Sequence, residues 1–270
     1  MVDEAKAIQR TLGGPVTRAR ISAGLAALGV QAGDRLLVHA SLSAFGFVAG
    51  GAQAVVEALK ASVGATGLLV MPAFTTHLSD PVNWQAPPVP ANWWMAIRSE
   101  TPAFDPAISP SRRIGAISEL MRTSPGTVRG PHPHLSFVAW GLGADGVVAP
   151  HPVDTSLGDG SPLQRLYDID AKVLFLGTRY ATCTAFHLGE HRAGVVRFRP
   201  EGAPMKIDGA RSWVAFEGPD YDTDPFDAMG ASFEALGGVT DVQIGAAECR
   251  LFPLRAAADF AEEWANISER

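Results

Sequence analysis

Thr17 precedes a stretch over 18–28 whose apolar positions repeat at helical spacing, and Gly29 closes it, which predicts a capped helix. Arg35-Leu36-Leu37-Val38-His39-Ala40-Ser41-Leu42 is almost continuously apolar and reads as a buried strand. A small-residue loop, Ser43 to Gly51, leads into a helical pattern at 52–61. Gly67-Leu68-Leu69-Val70-Met71-Pro72 then reads as a second buried strand. Strand, helix and strand of these lengths form a parallel crossover unit. Ser109-Pro110-Ser111 predicts another helix, with Ser109 as N-cap and Pro110 in the first turn. Leu135–Trp140 is a third strand, Ser161-Pro162 opens a short helix, Lys172–Leu176 is a fourth strand, and a helix follows from about Thr182. Arg211–Glu217 and Arg250–Pro253 read as late strands, before a final helix over 256–267. The alternation predicts an α/β fold, a three-layer α/β/α sandwich around a mostly parallel central sheet.

One segment breaks the pattern. Residues 76–106 hold Pro81, Pro87, Pro88, Pro90, Pro102 and Pro106 together with Trp84, Trp93 and Trp94. Thirty residues of little regular structure suit a lid or substrate-binding arm inserted in a single domain of residues 1–270. Tryptophans that dock on the core, or that form a homodimer contact, are the plainer uses of such an arm.

Composition narrows the class. Apolar residues are 47% and charged residues 19% of the chain, which excludes a disordered protein. No apolar run approaches the ~20 residues of a membrane span. The opening MVDEAKAIQR mixes charges and lacks the apolar core of a secretory signal. Two cysteines, Cys183 and Cys249, are too few for a disulfide framework, so the expected setting is cytoplasmic. A net charge of −6 with no basic cluster argues against nucleic acid. The charge is uneven: residues 1–135 carry 11 Lys+Arg against 8 Asp+Glu, and residues 136–270 carry 11 against 20. Such a split suits an anion handled by the first half and a cation by the second, or simply acidic surface loops.

Two segments offer anion-friendly chain ends. The Ser43–Gly51 loop ends in Gly50-Gly51 at a helix start, but it is neither a G-x-G-x-x-G nor a Walker loop. Ser109-Pro110-Ser111-Arg112-Arg113 adds a second such end beside two guanidiniums. The richest segment is Thr182-Cys183-Thr184-Ala185-Phe186-His187-Leu188-Gly189-Glu190-His191. On a helix, His187 shares a face with Glu190 and with His191. His187 can then be a general base held by a carboxylate. His187-x-x-Glu190-His191 is equally the inverted zinc-peptidase spacing. Cys183 and His187, one turn apart, can also form a nucleophile–base pair. An incidental histidine on a capped helix is the fourth alternative.

Four blocks carry a resemblance that bears on these alternatives. They are Gly33-Asp34-Arg35-Leu36-Leu37-Val38-His39-Ala40-Ser41-Leu42 with Gly50-Gly51-Ala52-Gln53-Ala54-Val55; Leu69-Val70-Met71-Pro72 with Phe104-Asp105-Pro106 and Ser109-Pro110-Ser111-Arg112; His132-Pro133 with Ser136-Phe137-Val138-Ala139-Trp140-Gly141; and Gly158-Asp159-Gly160-Ser161-Pro162-Leu163 through Asp170–Gly177 to Thr184–Glu190. Spanning about residues 17–260, they resemble the aminoglycoside 3-N-acetyltransferase family, the antibiotic acetyltransferases outside the common acetyltransferase superfamily.

The resemblance implies an α/β enzyme that uses acetyl-coenzyme A as donor, no metal, and a cationic amine, an aminoglycoside, as acceptor. It places the catalytic histidine at His187 and its companion at Glu190. It puts coenzyme A near His39, Ser41, Leu42, Gly50, Gly51, Ser109, Arg113 and Ile114. The acidic second half then suits the acceptor, with Asp154, Asp159, Asp222 and Asp224 as its expected contacts; Glu217, Asp220 and Asp227 belong to the same acidic run. An imidazole with an ordinary pKa of about 6.5 can take the proton that an attacking amine must lose. A small non-antibiotic amine, or a zinc-dependent hydrolase built on His187, Glu190 and His191, are the alternatives. Gly189, in mid-helix, is expected to weaken that helix by about 1 kcal/mol relative to alanine.

Overall fold

A computed structural model describes residues 4–11 and 13–268, so the expected unit of 1–270 extends beyond the described residues at both ends and at position 12. In chain order the elements are α1 (Glu4–Arg10), α2 (Arg18–Leu28), β1 (Arg35–Ala40), α3 (Gly51–Val63), β2 (Leu68–Pro72), α4 (Trp94–Glu100), α5 (Ala116–Thr123), β3 (Thr127–Arg129), β4 (Phe137–Gly141), α6 (Ala144–Val148), α7 (Pro162–Asp168), β5 (Lys172–Leu176), α8 (Thr184–Ala193), β6 (Arg197–Ile207), β7 (Ala210–Asp220), α9 (Phe226–Ala235), β8 (Thr240–Ile244), β9 (Ala247–Pro253) and α10 (Leu254–Ser268). Among them no helix is long and apolar enough to cross a membrane.

Seven strands form one sheet in the order β3-β4-β2-β1-β5-β9-β8. Their side chains alternate between its faces, as the period of two demands. Leu36, Val38, Leu69, Met71, Leu174 and Leu176 pack on one side against α2, α3 and α5. Leu37, Leu68, Val70, Phe137, Val173 and Phe175 pack on the other against α6 to α10. The three-layer sandwich is therefore as expected, but the sheet is mixed rather than mostly parallel. Only β1 runs parallel to its neighbours, β2 and β5; β4, β3, β9 and β8 join antiparallel. The crossover through α3 fixes the parallel pairing of β1 with β2, while short connections fold β3 onto β4 and β8 onto β9 as antiparallel neighbours.

Several local signals act as the sequence implies. Thr17 accepts a hydrogen bond from Arg20 N–H and Gly29 ends α2 in the left-handed region. Ser161 caps α7, accepting from Leu163 and Gln164, with Pro162 at its first position. The Ser109-Pro110-Ser111 helix does not form. Arg129 takes the Ser109 carbonyl that would start such a helix, and the Ser109 hydroxyl accepts from Asp105 N–H at 2.9 Å. Arg113 is left-handed at φ +61°, and α5 begins only at Ala116.

A second, two-stranded sheet stands apart from the first: β6 and β7 pair from Arg197↔Asp220 to Ile207↔Ala210 around an Asp208-Gly209 turn. Of this hairpin only Arg211–Glu217 is legible beforehand, because Pro200, Gly202 and Pro204 disguise β6. The 76–106 segment lies against it. Asn83 donates to the Pro200 carbonyl at 3.0 Å, Phe104 N–H to Pro204 at 2.8 Å, and Lys206 pairs with Asp105 at 2.7 Å. The segment is itself braced by a fork of Arg98 on Asp80, at 2.8–3.2 Å.

Gly189 has a reason that helix propensity conceals. A Cβ there would meet the Ala258 carbonyl at 2.3 Å and Glu262 N at 2.6 Å, both backbone atoms of α10. Propensity scores Gly189→Ala as stabilising by about 1 kcal/mol. The close approach of the two helices predicts a loss of about 1–3 kcal/mol instead, the usual cost of overpacking. Urea denaturation of the variant decides: a higher midpoint than wild type would mean that α8 and α10 are farther apart than described.

Candidate active site

Helix α8 starts at Thr184, with Cys183 as its N-cap. Cys183 is fully buried, and burial pushes its thiol up to about 12. It stays protonated near neutrality, so the thiol-nucleophile alternative has no support. One turn on, spacing of three residues brings His187 and Glu190 together, and His187 Nδ1–H donates to Glu190 Oε2 at 2.6 Å. The imidazole is 5% exposed. Its ring lies 4.2 Å from that of Tyr221 and 4.8 Å from that of Phe226, centroid to centroid. With Nδ1 held, Nε2 is the nitrogen free for proton transfer.

His191 faces elsewhere. The Tyr221 hydroxyl accepts from Leu157 N–H at 3.1 Å and lies 2.7 Å from His191 Nε2. Burial, then the neighbouring His187, lowers the His191 pKa to about 4, while burial raises that of Tyr221. The phenol therefore donates and the neutral imidazole accepts. Gly158 makes room for that ring, since a Cβ there would strike it at 2.7 Å. The two histidines thus have different hydrogen-bond partners, Glu190 and the Tyr221 hydroxyl. No group of three His, Cys, Asp or Glu that could hold a metal ion occurs among the described residues, and the zinc-hydrolase alternative is not favoured.

Two cavities meet at His187. The first, of about 520 Å³, and the second, of about 480 Å³, share Phe74, Arg113 and His187 in their walls. The second lies beyond the carboxyl ends of β1 and β2, where open α/β sheets form crevices. Of the residues expected near coenzyme A, His39, Ser41, Leu42, Arg113 and Ile114 line it; Gly50, Gly51 and Ser109 do not. Gly50 and Gly51 start α3 with positive φ values of 85° and 56°. His39 is buried, and burial lowers its pKa to about 3. It is neutral, with Nε2 3.3 Å from Thr184 Oγ1.

The first cavity is walled by the inserted segment, through Trp84, Ala86, Pro87 and Val89, and by one face of the β6–β7 hairpin. Trp93 and Trp94 are not on its wall. Asp154, Asp159, Asp222 and Asp224 are all exposed and line neither cavity. Asp222 instead accepts from Asp224 N–H at 2.9 Å, closing a turn before α9. The carboxylates on the wall are Glu201 and Asp220, joined by the guanidiniums of Arg112, Arg113 and Arg199. Asp220 belongs to the acidic run; Arg199 and Glu201 lie hidden within the proline-broken β6. The Asp208-Gly209 dipeptide, a hairpin signal, would have revealed that strand. The charge halves of the sequence do not separate in space either, since each cavity draws on both.

His132 is buried and fully hydrogen-bonded. Its Nδ1 accepts from His134 and Leu135 N–H, both at 3.0 Å, so Nε2 carries the proton and donates to Ser156 Oγ at 3.0 Å. Ser156 in turn donates to Val153 O at 3.0 Å and lines the first cavity.

Residues 37–266 match the family model described as aminoglycoside 3-N-acetyltransferase. The chain belongs to this family. It is 41% identical over 251 residues to the SPbeta prophage-derived aminoglycoside N(3')-acetyltransferase-like protein YokD of Bacillus subtilis, covering 93% of this chain and 92% of the relative. It is 35% identical to aminoglycoside N(3)-acetyltransferase VII of Streptomyces paromomycinus, covering 97% and 96%. The crystal structure of YokD superimposes with a TM-score of 0.95 at 40% identity, over 98% of this chain and 99% of that one. AAC-IIIb in its binary complex with CoASH gives 0.84 at 32%, over 94% and 98%. AAC-VIa bound to sisomicin gives 0.83 at 30%, over 94% and 99%. This family member is an enzyme of the acetyltransferase kind.

Its buried imidazoles make stability depend on pH. His39 and His151 have folded pKa values of about 3 and about 4, burial being the first cause of each. Both lie below the ordinary value of about 6.5, so their burial is free of cost above that pH, and stability is lost as pH falls through it toward 4. By about pH 5 each should cost about 2 kcal/mol. Urea denaturation at about pH 7.5 and about pH 5 should show a clear fall in midpoint; an unchanged midpoint would mean these rings are not held neutral.

Proposed function

We propose that the protein transfers an acetyl group from acetyl-coenzyme A to an amine of an aminoglycoside-class acceptor, with His187 as general base. The observation that carries this reading is the position of His187, held by Glu190, at the seam of the two cavities. The coenzyme A complex of AAC-IIIb and the sisomicin complex of AAC-VIa, both relatives in fold and sequence, support the assignment of donor and acceptor classes.

The second cavity suits a slender thioester arm. Val38, Leu42, Met71 and Ile114 give it apolar walls, and Ser41, Ser43, Ser118 and Thr184 give it hydroxyls. His39, Ser41, Leu42, Arg113 and Ile114 would hold the donor there. Gly50, Gly51 and Ser109 remain for its phosphate-bearing end, outside this cavity. When bound, acetyl-coenzyme A would supply the activated acetyl group, its C–S bond breaking as the amide C–N bond forms and coenzyme A leaving as the thiol with the proton that the amine sheds.

The remaining chemistry falls to the chain. An ammonium cannot attack until it has lost a proton, and His187 Nε2 takes the proton that the amine sheds. Glu190 holds the tautomer and stabilises the imidazolium that results. Tyr221 and Phe226 keep the ring in place. The 76–106 segment, through Trp84, walls the acceptor off from water. A smaller, less charged amine is the second reading, and one observation favours it: both carboxylates on the acceptor wall are already paired with Arg199.

His187→Ala should lower kcat by about 10²–10⁴, with the KM for acetyl-coenzyme A little changed. Glu190→Gln should cost less, because the ring stays in place. Steady-state kinetics with aminoglycosides and monoamines tests both; normal turnover by His187→Ala would end the proposal. The KM for an aminoglycoside should also rise with salt, since its contacts are screened over about 8 Å at physiological ionic strength.

A further inference from the structure

Residues 199, 201, 216, 218 and 220 alternate onto one face of the β6–β7 hairpin, and that face lines the acceptor cavity. Glu201 is 7% exposed. Its Oε1 accepts from Asn83 Nδ2 at 2.6 Å, and its Oε2 from Asp80 N–H at 3.1 Å and Gly202 N–H at 3.3 Å. Arg199 lies between this carboxylate and the next. Its Nε is 3.5 Å from Glu201 Oε1, and its Nη1 is 2.7 Å from Asp220 Oδ1. Gly218, opposite Arg199 in the ladder, keeps the space open, since a Cβ there would meet Glu201 Cγ at 2.9 Å.

A buried carboxylate and a second one nearby, both facing a cavity beside a general base, form a receptor for ammonium groups. In this chain the cation in that receptor is its own guanidinium. Arg113 donates to the Ala86 carbonyl at 2.7 Å, a neutral partner, whereas Arg199 is in ion-pair contact with both acids. We propose that Arg199 is a specificity-determining residue that fills the ammonium subsite of Glu201 and Asp220. This rests on the acetyl-transfer reading above. The cavity then accepts an amino sugar with one reactive amine and few other ammonium groups, and disfavours a fully polycationic aminoglycoside. The self-pairing sets the acceptor range while leaving His187 untouched.

The test is calorimetric binding of sisomicin, a polycation, and glucosamine, a monocation, at low salt. Arg199→Ala should tighten sisomicin binding by about tenfold, the worth of one charge-assisted contact regained, and change glucosamine by less than about twofold. Asp220→Asn in the otherwise unchanged protein should alter sisomicin affinity by less than about twofold, because Arg199 already engages that carboxylate. Combined with Arg199→Ala, it should remove most of the gain. Unchanged or weaker sisomicin binding by a folded Arg199→Ala protein would overturn the proposal. So would a loss of about fivefold or more in Asp220→Asn alone, and this half-exposed position decides the matter even if Arg199→Ala fails to fold. Acetyl-coenzyme A consumption is followed separately. Absence of turnover with every amine counts against the acetyl-transfer reading, whereas the binding constants judge Arg199 on their own.

Discussion

Helix α8 lies backbone against backbone on α10, and the site depends on that contact. Gly189 permits it: on the facing helix only the Ala258 and Glu262 backbone and the small Ala261 side chain lie nearest to it. A helix seated this way has little freedom to shift, so His187 two residues before and Glu190 one residue after inherit a fixed position. The 2.6 Å bond between them then needs no loop to hold it. Sites carried on rigid elements keep their geometry better than sites on loops.

Burial governs the electrostatics around that helix. His39 and His151 are driven to the neutral form by loss of water, and each is kept by a specific partner rather than a charge: His39 by Thr184 and His151 by Ser156. His187 differs in having a carboxylate at bonding distance. Among these buried rings it is the one with an acidic partner, which is what suits it to the proposed role of base.

Much of the core was legible in the sequence. The runs at β1, β2 and β5 are continuously apolar, and Thr17 and Ser161 cap helices where they stand. The His187–Glu190 pair follows from helical spacing alone. Elsewhere the sequence misled for physical reasons. Ser109-Pro110-Ser111 has the residues of a helix start, yet a distant arginine, Arg129, claims the carbonyl that the helix would need. Gly189 reads as a weak link because propensity knows nothing of α10. Asp154, Asp159, Asp222 and Asp224 were counted as charges, but short aspartates in loops serve the backbone first, as Asp222 does. Glu201 and Arg199 were hidden in a strand broken by prolines.

The hairpin of β6 and β7 shares no ladder with the seven-stranded sheet. Its inner face, with the segment packed along it, makes one wall of the first cavity; the second cavity is cut into the ends of the central strands. In the proposed function, catalyst and selector are thus separate pieces of architecture. A substitution on the hairpin can be absorbed without disturbing the register of β1 and β5 or the seat of α8. Such modularity gives the molecule an evolvable surface, on which recognition can drift while the machinery beneath it stays constant.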